Sequence, residues 1–179
     1  MINIRSNIFE TNSSSSHSIV INKTNSIIRG YDDIEIKDGI YNISSRLIFD
    51  RWPFGILPSV DNKTRFTIAS LANYYEKGTE AFFDELTNIF KKHYPELKEI
   101  KVAFEEYDGK KYYGEIDHQS SGLLQSFLNK NNISFEEFIF NPKYVVIIDG
   151  DEYHEFKKLC NSGIIDKAKI EIFGGEFDE

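Results

Sequence analysis

The stretch Tyr144-Val145-Val146-Ile147-Ile148-Asp149-Gly150-Asp151 decides the fold. Four β-branched residues follow an aromatic one without interruption, and Asp149-Gly150 then offers turn chemistry. A strand with one wet face alternates with period two. A run that is apolar on both faces belongs inside a sheet. After it, a helical pattern runs from about Glu152 to Cys160, and Ala168 to Phe173 alternates as a last strand. Gly174 to Glu179 reads as a loose acidic tail. On the N-terminal side, Ser121 or Gly122 starts a helix through Leu128. Ser134 opens a second short helix, with Glu137 at the capping-box position.

The middle of the chain is helical. Asn62 caps a helix from about Thr64 to Lys77, with Phe66, Ile68, Ala69, Leu71, Ala72 and Tyr75 as its apolar face. Gly78 closes it, Thr79 caps a second helix to about His93, and Pro95 ends that one. The pair predicts a helical hairpin with a very short turn. The remainder is strand-rich. Ser18–Ile21, Asp33–Lys37, Ile40–Ile43, Arg46–Phe49 and Ile100–Phe104 favour strands. Asp38-Gly39 and Asp108-Gly109 make hairpin turns, the second returning through Tyr112 to Ile116. Trp52-Pro53-Phe54-Gly55 and Pro58 mark a loop, either a lid on the core or a ligand platform. The expectation is one α+β domain over residues 1–179: a mainly antiparallel or mixed sheet covered by helices, with a central helical hairpin.

Composition narrows the function. The 15 Phe and 10 Tyr among 179 residues can fill a core. A net charge of −8, from 21 Lys and Arg against 29 Asp and Glu, argues against broad non-specific nucleic-acid binding. Such binding needs cations to displace phosphate counterions. Cys160 is the single cysteine. It excludes an intrachain disulfide and a thiolate metal site, and reads as packing. No run approaches the ~20 apolar residues of a membrane span, and no signal segment opens the chain. The expectation is a cytoplasmic protein with no membrane association, no metal and no cofactor.

Two polar stretches carry candidate chemistry. Asn12-Ser13-Ser14-Ser15-Ser16-His17-Ser18 lies between Ile8-Phe9 and a strand. Serine and asparagine side chains bond local backbone and build turns whose N–H groups cradle anions, although a polar run near a terminus also reads as a tail. Asp117-His118-Gln119-Ser120 ends a strand and precedes a helix, where N–H groups and the dipole favour anions. A histidine beside a carboxylate and hydroxyls has the groups of acid–base catalysis, while Ser120 or Ser121 as a plain helix cap explains the same residues. Asp149-Gly150-Asp151 is either a turn or a cation site without the ligand series of a calcium loop. His93 ends its helix as a favourable charge.

With Arg5 and Phe9-Glu10-Thr11 before it, the serine run resembles the opening of a family of small phage and Gram-positive bacterial proteins that begin with Phe-Glu-Thr-Asn-Ser-Ser-Ser-Ser/Thr-His-Ser. The resemblance extends to Ile116–Ser120 and to Val145–Asp151. It implies a phage or mobile-element setting, hence a host-cell cytoplasm, where small acidic proteins counter host defences. Within that setting two functions stand. The first is a site for a phosphate-containing ligand, a nucleotide or an RNA end. His17 and His118 would serve as acid and base, Asp117 would orient a histidine, and Arg5, Asn12 to Ser16, Ser18, Gln119 and Ser120 would bind. It looks like the two-histidine phosphoesterases, which carry two His-x-Ser/Thr motifs: His118-Gln119-Ser120 fits, whereas His17-Ser18-Ile19 has its hydroxyl one place early. The second is a non-enzymatic inhibitor of a host nuclease, such as a CRISPR effector. Whether there is turnover stays open at this point.

Overall fold

The computed structural model describes residues 19–23, 34–43, 48–49, 55–75, 77–116, 123–148, 158, 161–163 and 171–173. Within them the fold is α+β. The chain order is β1 (Ile19–Lys23), β2 (Ile36–Lys37), β3 (Ile40–Ile43), β4 (Ile48–Phe49), β5 (Gly55–Leu57), α1 (Val60–Leu71) and α2 (Thr79–His93). Then come β6 (Glu99–Val102), β7 (Glu105–Tyr107), β8 (Lys110–Tyr112), β9 (Glu115–Ile116), α3 (Leu123–Asn131), α4 (Phe135–Phe140), β10 (Tyr144–Ile148) and β11 (Glu171–Phe173).

The largest sheet has the order β11-β1-β10-β5, with every pairing antiparallel. The all-apolar run is β10. It sits between two strands, and Tyr144 to Ile147 are buried. Both faces are apolar because neither meets water. β5 corrects the loop reading at its end: Gly55-Ile56-Leu57 pairs with Ile148, Ile147 and Val146. Pairing to a buried strand outweighs the local breakers Gly55 and Pro58.

Two turns follow the sequence closely. Asp38 and Gly39 both have positive φ, 56° and 83°, as do Asp108 and Gly109, 51° and 70°. That geometry matches the strand twist and favours Asp-Gly. The first turn joins β2 to β3, and the second joins β7 to β8. At Gly39 an added Cβ would lie 2.9 Å from the Lys98 side chain and 3.0 Å from the Glu96 carbonyl oxygen. The Gly39 carbonyl accepts from Lys98 N at 2.7 Å, which leads the chain into β6 alongside β3, in parallel. A second parallel pair, β4 with β9, makes the sheet content mixed. The return strand after Asp108-Gly109 is broken: β8 ends at Tyr112 and β9 starts at Glu115.

Helix α1 starts and ends earlier than the periodicity predicts. Ser59, not Asn62, is its cap: the Ser59 hydroxyl accepts from Asn62 N at 3.1 Å. Its end at Leu71 follows from tertiary demand on Asn73, whose amide donates to Gly114 O at 3.1 Å and accepts from Tyr113 N at 3.0 Å. Gly78 is the N-cap residue of α2. Thr79 does not cap it: its hydroxyl donates to Ala72 O at 2.9 Å and so closes an open carbonyl at the end of α1. The joint between the helices is thus residues 72–78 rather than a very short turn.

Helix α1 is the centre of the core. Phe66, Ile68 and Leu71 are buried, each stabilising by about 1.5–3 kcal/mol. Its polar side is buried too. Thr64, Thr67 and Ser70 each donate to the carbonyl four residues back, at 2.7 Å. These three hydroxyl protons are thereby satisfied inside a dry interior. The buried ammonium of Lys63 donates to Asn141 O at 2.9 Å, at the C-cap of α4, where a cation opposes the helix dipole. Helix α2 packs with Phe82, Leu86, Ile89 and Phe90 inward, as its period predicts. Ser134 caps α4 by accepting from Glu137 N at 3.1 Å. The predicted helix at 152–160 lies outside the described residues apart from Lys158, and so do Cys160 and the tail from Gly174.

Candidate functional site

Every residue singled out for phosphate chemistry lies outside the described residues: Arg5, Asn12, Ser13, Ser14, Ser15, Ser16, His17, Ser18, Asp117, His118, Gln119 and Ser120. The same holds for Trp52 to Phe54 and for Asp149 to Asp151. The strands that carry these segments are described. Ile19, the residue after Ser18, is opposite Ile148, the residue before Asp149. Ile148 is in turn opposite Gly55, the residue after Phe54, and Ile19 is opposite Phe173. One end of the four-stranded sheet therefore holds the points where three polar or aromatic stretches join it. The fourth stretch starts from β9, whose Ile116 is opposite Phe49 of β4. Residues 50–54 link Phe49 to Gly55, so these two strand ends lie within about 20 Å of each other.

A second feature had no place in the sequence reading. Between the end of α1 and the β7–β8 hairpin runs a groove of about 450 Å³. Tyr74, Phe104, Tyr107, Tyr112, Glu105 and Glu106 line it. The four rings are 73%, 45%, 76% and 42% exposed, in the order Tyr74, Phe104, Tyr107, Tyr112. They are the large apolar side chains left to solvent among the described residues. The two sides are tied together by Asn73, through its bonds to Tyr113 and Gly114. Beneath, Tyr113 packs edge-on against Phe83 at 4.8 Å and meets Phe104 at 5.6 Å. The Lys111 ammonium lies 4.5 Å from the centre of the Phe104 ring. Burial and the nearby Glu80 carboxylate raise the Tyr113 hydroxyl above its usual value. A sequence signal existed: Glu105-Glu106-Tyr107-Asp108-Gly109-Lys110-Lys111-Tyr112 puts tyrosines among charges, where no core can claim them.

A third constellation is a buried polar lock. Tyr41 donates its hydroxyl to Asp61 Oδ1, and Asp61 Oδ2 accepts from Arg65 Nε at 2.7 Å. Burial first, and the Asp61 carboxylate second, push the Tyr41 hydroxyl well above its usual value. Lys37 and Lys101 stand with Glu35, Asp38 and Arg65 around the mouth, a mixture without one sign of charge. The lock ties β3 to α1, and we assign it a structural role.

His93 keeps the place the sequence gives it, in the last turn of α2. Its ring stacks on Phe140 at 3.7 Å, and Nε2 lies 3.1 Å from Glu136 Oε1. Lys92 bonds the other Glu136 oxygen at 2.5 Å, which, with His93, holds that carboxyl below its usual value. Among the described residues, no three His, Cys, Asp or Glu side chains gather as metal ligands, and no helix is long and apolar enough to cross a membrane. No protein-family model, curated protein or solved structure matches the chain.

Proposed function

We propose that the chain handles a phosphate-containing ligand, a nucleotide or an RNA end, through the polar segments joined to one end of the four-stranded sheet and the one that follows β9. The observation that carries this reading is the register Ile19↔Ile148↔Gly55. It joins the segment ending in His17-Ser18 and the one beginning with Asp149 to neighbouring strands. Opposed strand residues are about 4.5–5.5 Å apart, so the chains issuing from them start side by side. In this reading Asn12 to Ser16 and Ser18 supply hydroxyl and N–H donors, Arg5 supplies a permanent cation, and Gln119 and Ser120, which follow β9 in the chain, supply further donors. A phosphoesterase-like role follows if one imidazole of His17 and His118 takes the proton of an attacking water and the other protonates the leaving oxygen, with Asp117 orienting its neighbour. The alternative is a non-catalytic counter-defence protein that binds a host nuclease; its support is the net charge of −8.

The test is a thermal-shift and calorimetry series with inorganic phosphate, mononucleotides and short RNAs bearing 3′- or 5′-phosphate. At a ligand concentration 100 times Kd, wild type should gain about 2.7 kcal/mol of stability. His17→Ala and His118→Ala, still folded by circular dichroism, should lose most of that gain. If no phosphate compound shifts wild type, or both variants respond as wild type does, the phosphate reading is wrong and the nuclease-binding alternative is pursued.

A further inference from the structure

We propose that the groove between α1 and the β7–β8 hairpin is a docking site for an arginine-bearing extended segment of a partner protein, independent of any phosphate site. Three observations carry it. First, among the described residues the charged side chains lining the groove are carboxylates, Glu105 and Glu106, and Glu106 is the one this proposal uses. Second, among the described residues the rings of Tyr74, Tyr107 and Tyr112 stack on no other ring and hold no cation. Large exposed rings are costly to keep on a monomer surface and mark interaction sites. Third, the protein already places a cation of its own on the one phenylalanine of the set, Lys111 over Phe104.

The chemistry selects the occupant. A guanidinium is flat, stacks on tyrosine faces and donates in a fork to carboxylate oxygens. The groove offers both partners for it within about 450 Å³, room for one or two side chains rather than for a whole helix. Nucleic acid would also stack on tyrosines, but its phosphates would meet the carboxylates of Glu105 and Glu106. A second copy of the chain, at net −8, would bring like charge to an acidic surface. The β7 and β8 residues are all exposed, so an extended segment can reach the groove along the hairpin.

The experiment titrates ¹⁵N-labelled full-length protein with a Gly-Ser peptide carrying two arginines, and with the same peptide carrying glutamines instead. The arginine peptide should shift the Asn73 side-chain amide and the Glu106, Tyr107 and Gly114 backbone amides, saturably; the glutamine peptide should not. Tyr107→Ser, Tyr74→Ser and Glu106→Gln should each weaken binding about three- to thirtyfold. Glu96→Gln, an exposed carboxylate outside the groove, should change it less than twofold. Because Tyr74 and Tyr107 sit on different elements and are exposed, at least one variant reports on folded protein. Equal binding of the two peptides overturns the proposal. So does an equal loss in Glu96→Gln and Glu106→Gln, which would mean diffuse charge attraction. Sedimentation showing a dimer that Tyr107→Ser abolishes would assign the groove to a second copy and overturn it as well.

Discussion

Removing one oxygen atom tests the lock between β3 and α1. Tyr41→Phe keeps the ring that stacks on Phe90 at 5.8 Å and leaves no cavity. It deletes the hydroxyl that donates to Asp61, and Asp61 retains Arg65 at 2.7 Å. A hydrogen bond to a charged group contributes about 1.5–3 kcal/mol, and the carboxylate left behind is half satisfied rather than orphaned. The expected loss in urea unfolding at pH 7 is therefore about 1.5–3 kcal/mol, roughly 3–12 °C in Tm for a chain this long. The same variant carries a pH signature. The folded Tyr41 hydroxyl titrates above its usual value, whereas the unfolded one titrates near 10. Below about pH 10 both states keep the proton and the stabilisation is complete. As pH rises further, the unfolded state loses protons that the folded state holds. Stability then falls by about 1.4 kcal/mol per pH unit for this group. Tyr144, pushed up to about 12 by burial and by Glu137, adds to the fall in the same direction. Wild type should thus lose stability steeply above pH 10, and Tyr41→Phe less steeply. A loss under about 0.5 kcal/mol at pH 7, or parallel alkaline slopes for the two proteins, refutes the reasoning.

Gly39→Ala should cost at least about 1–2 kcal/mol from left-handed strain alone. The contacts at 2.9–3.0 Å with Lys98 and the Glu96 carbonyl add to this, so a Tm within 2 °C of wild type would be inconsistent with the turn described. Asn73→Ala removes two hydrogen bonds, about 2 kcal/mol together, and should speed amide exchange at Tyr113 selectively. Unchanged exchange there would mean that Asn73 does not join the groove walls.

How far the sequence carried the reading depends on what each residue competes against. Tyr144–Ile148, the two Asp-Gly turns and the Ser134 cap were legible because local preference and tertiary need agree there. Strand β5 was not, since Gly55 and Pro58 argue locally for a loop and only the register with β10 says otherwise. Periodicity carries α1 past Leu71 because it cannot show that Asn73 is drawn out of the helix by backbone forty residues away, at Tyr113 and Gly114. By residue type Thr79 is a helix cap, yet its hydroxyl serves the preceding helix. The polar motifs Asn12–Ser18 and Asp117–Ser120 stand outside the described residues, next to the strand ends Ile19 and Ile116 in the chain. The aromatic groove was visible only as tyrosines among charges, and its shape depends on two elements far apart in the chain.

The main sheet also imposes an order on biosynthesis. Strand β1 ends at Lys23, whereas both of its neighbours, at 144–148 and 171–173, are made more than a hundred residues later. At roughly 5–20 residues per second, translation leaves it waiting at least several seconds with no partner strand. The apolar Ile19-Val20-Ile21 is then an exposed ribbon, open to pairing with another nascent chain. The polar serine run immediately upstream of it can act during that interval as a solubilising gatekeeper, a duty separate from anything it does in the finished protein.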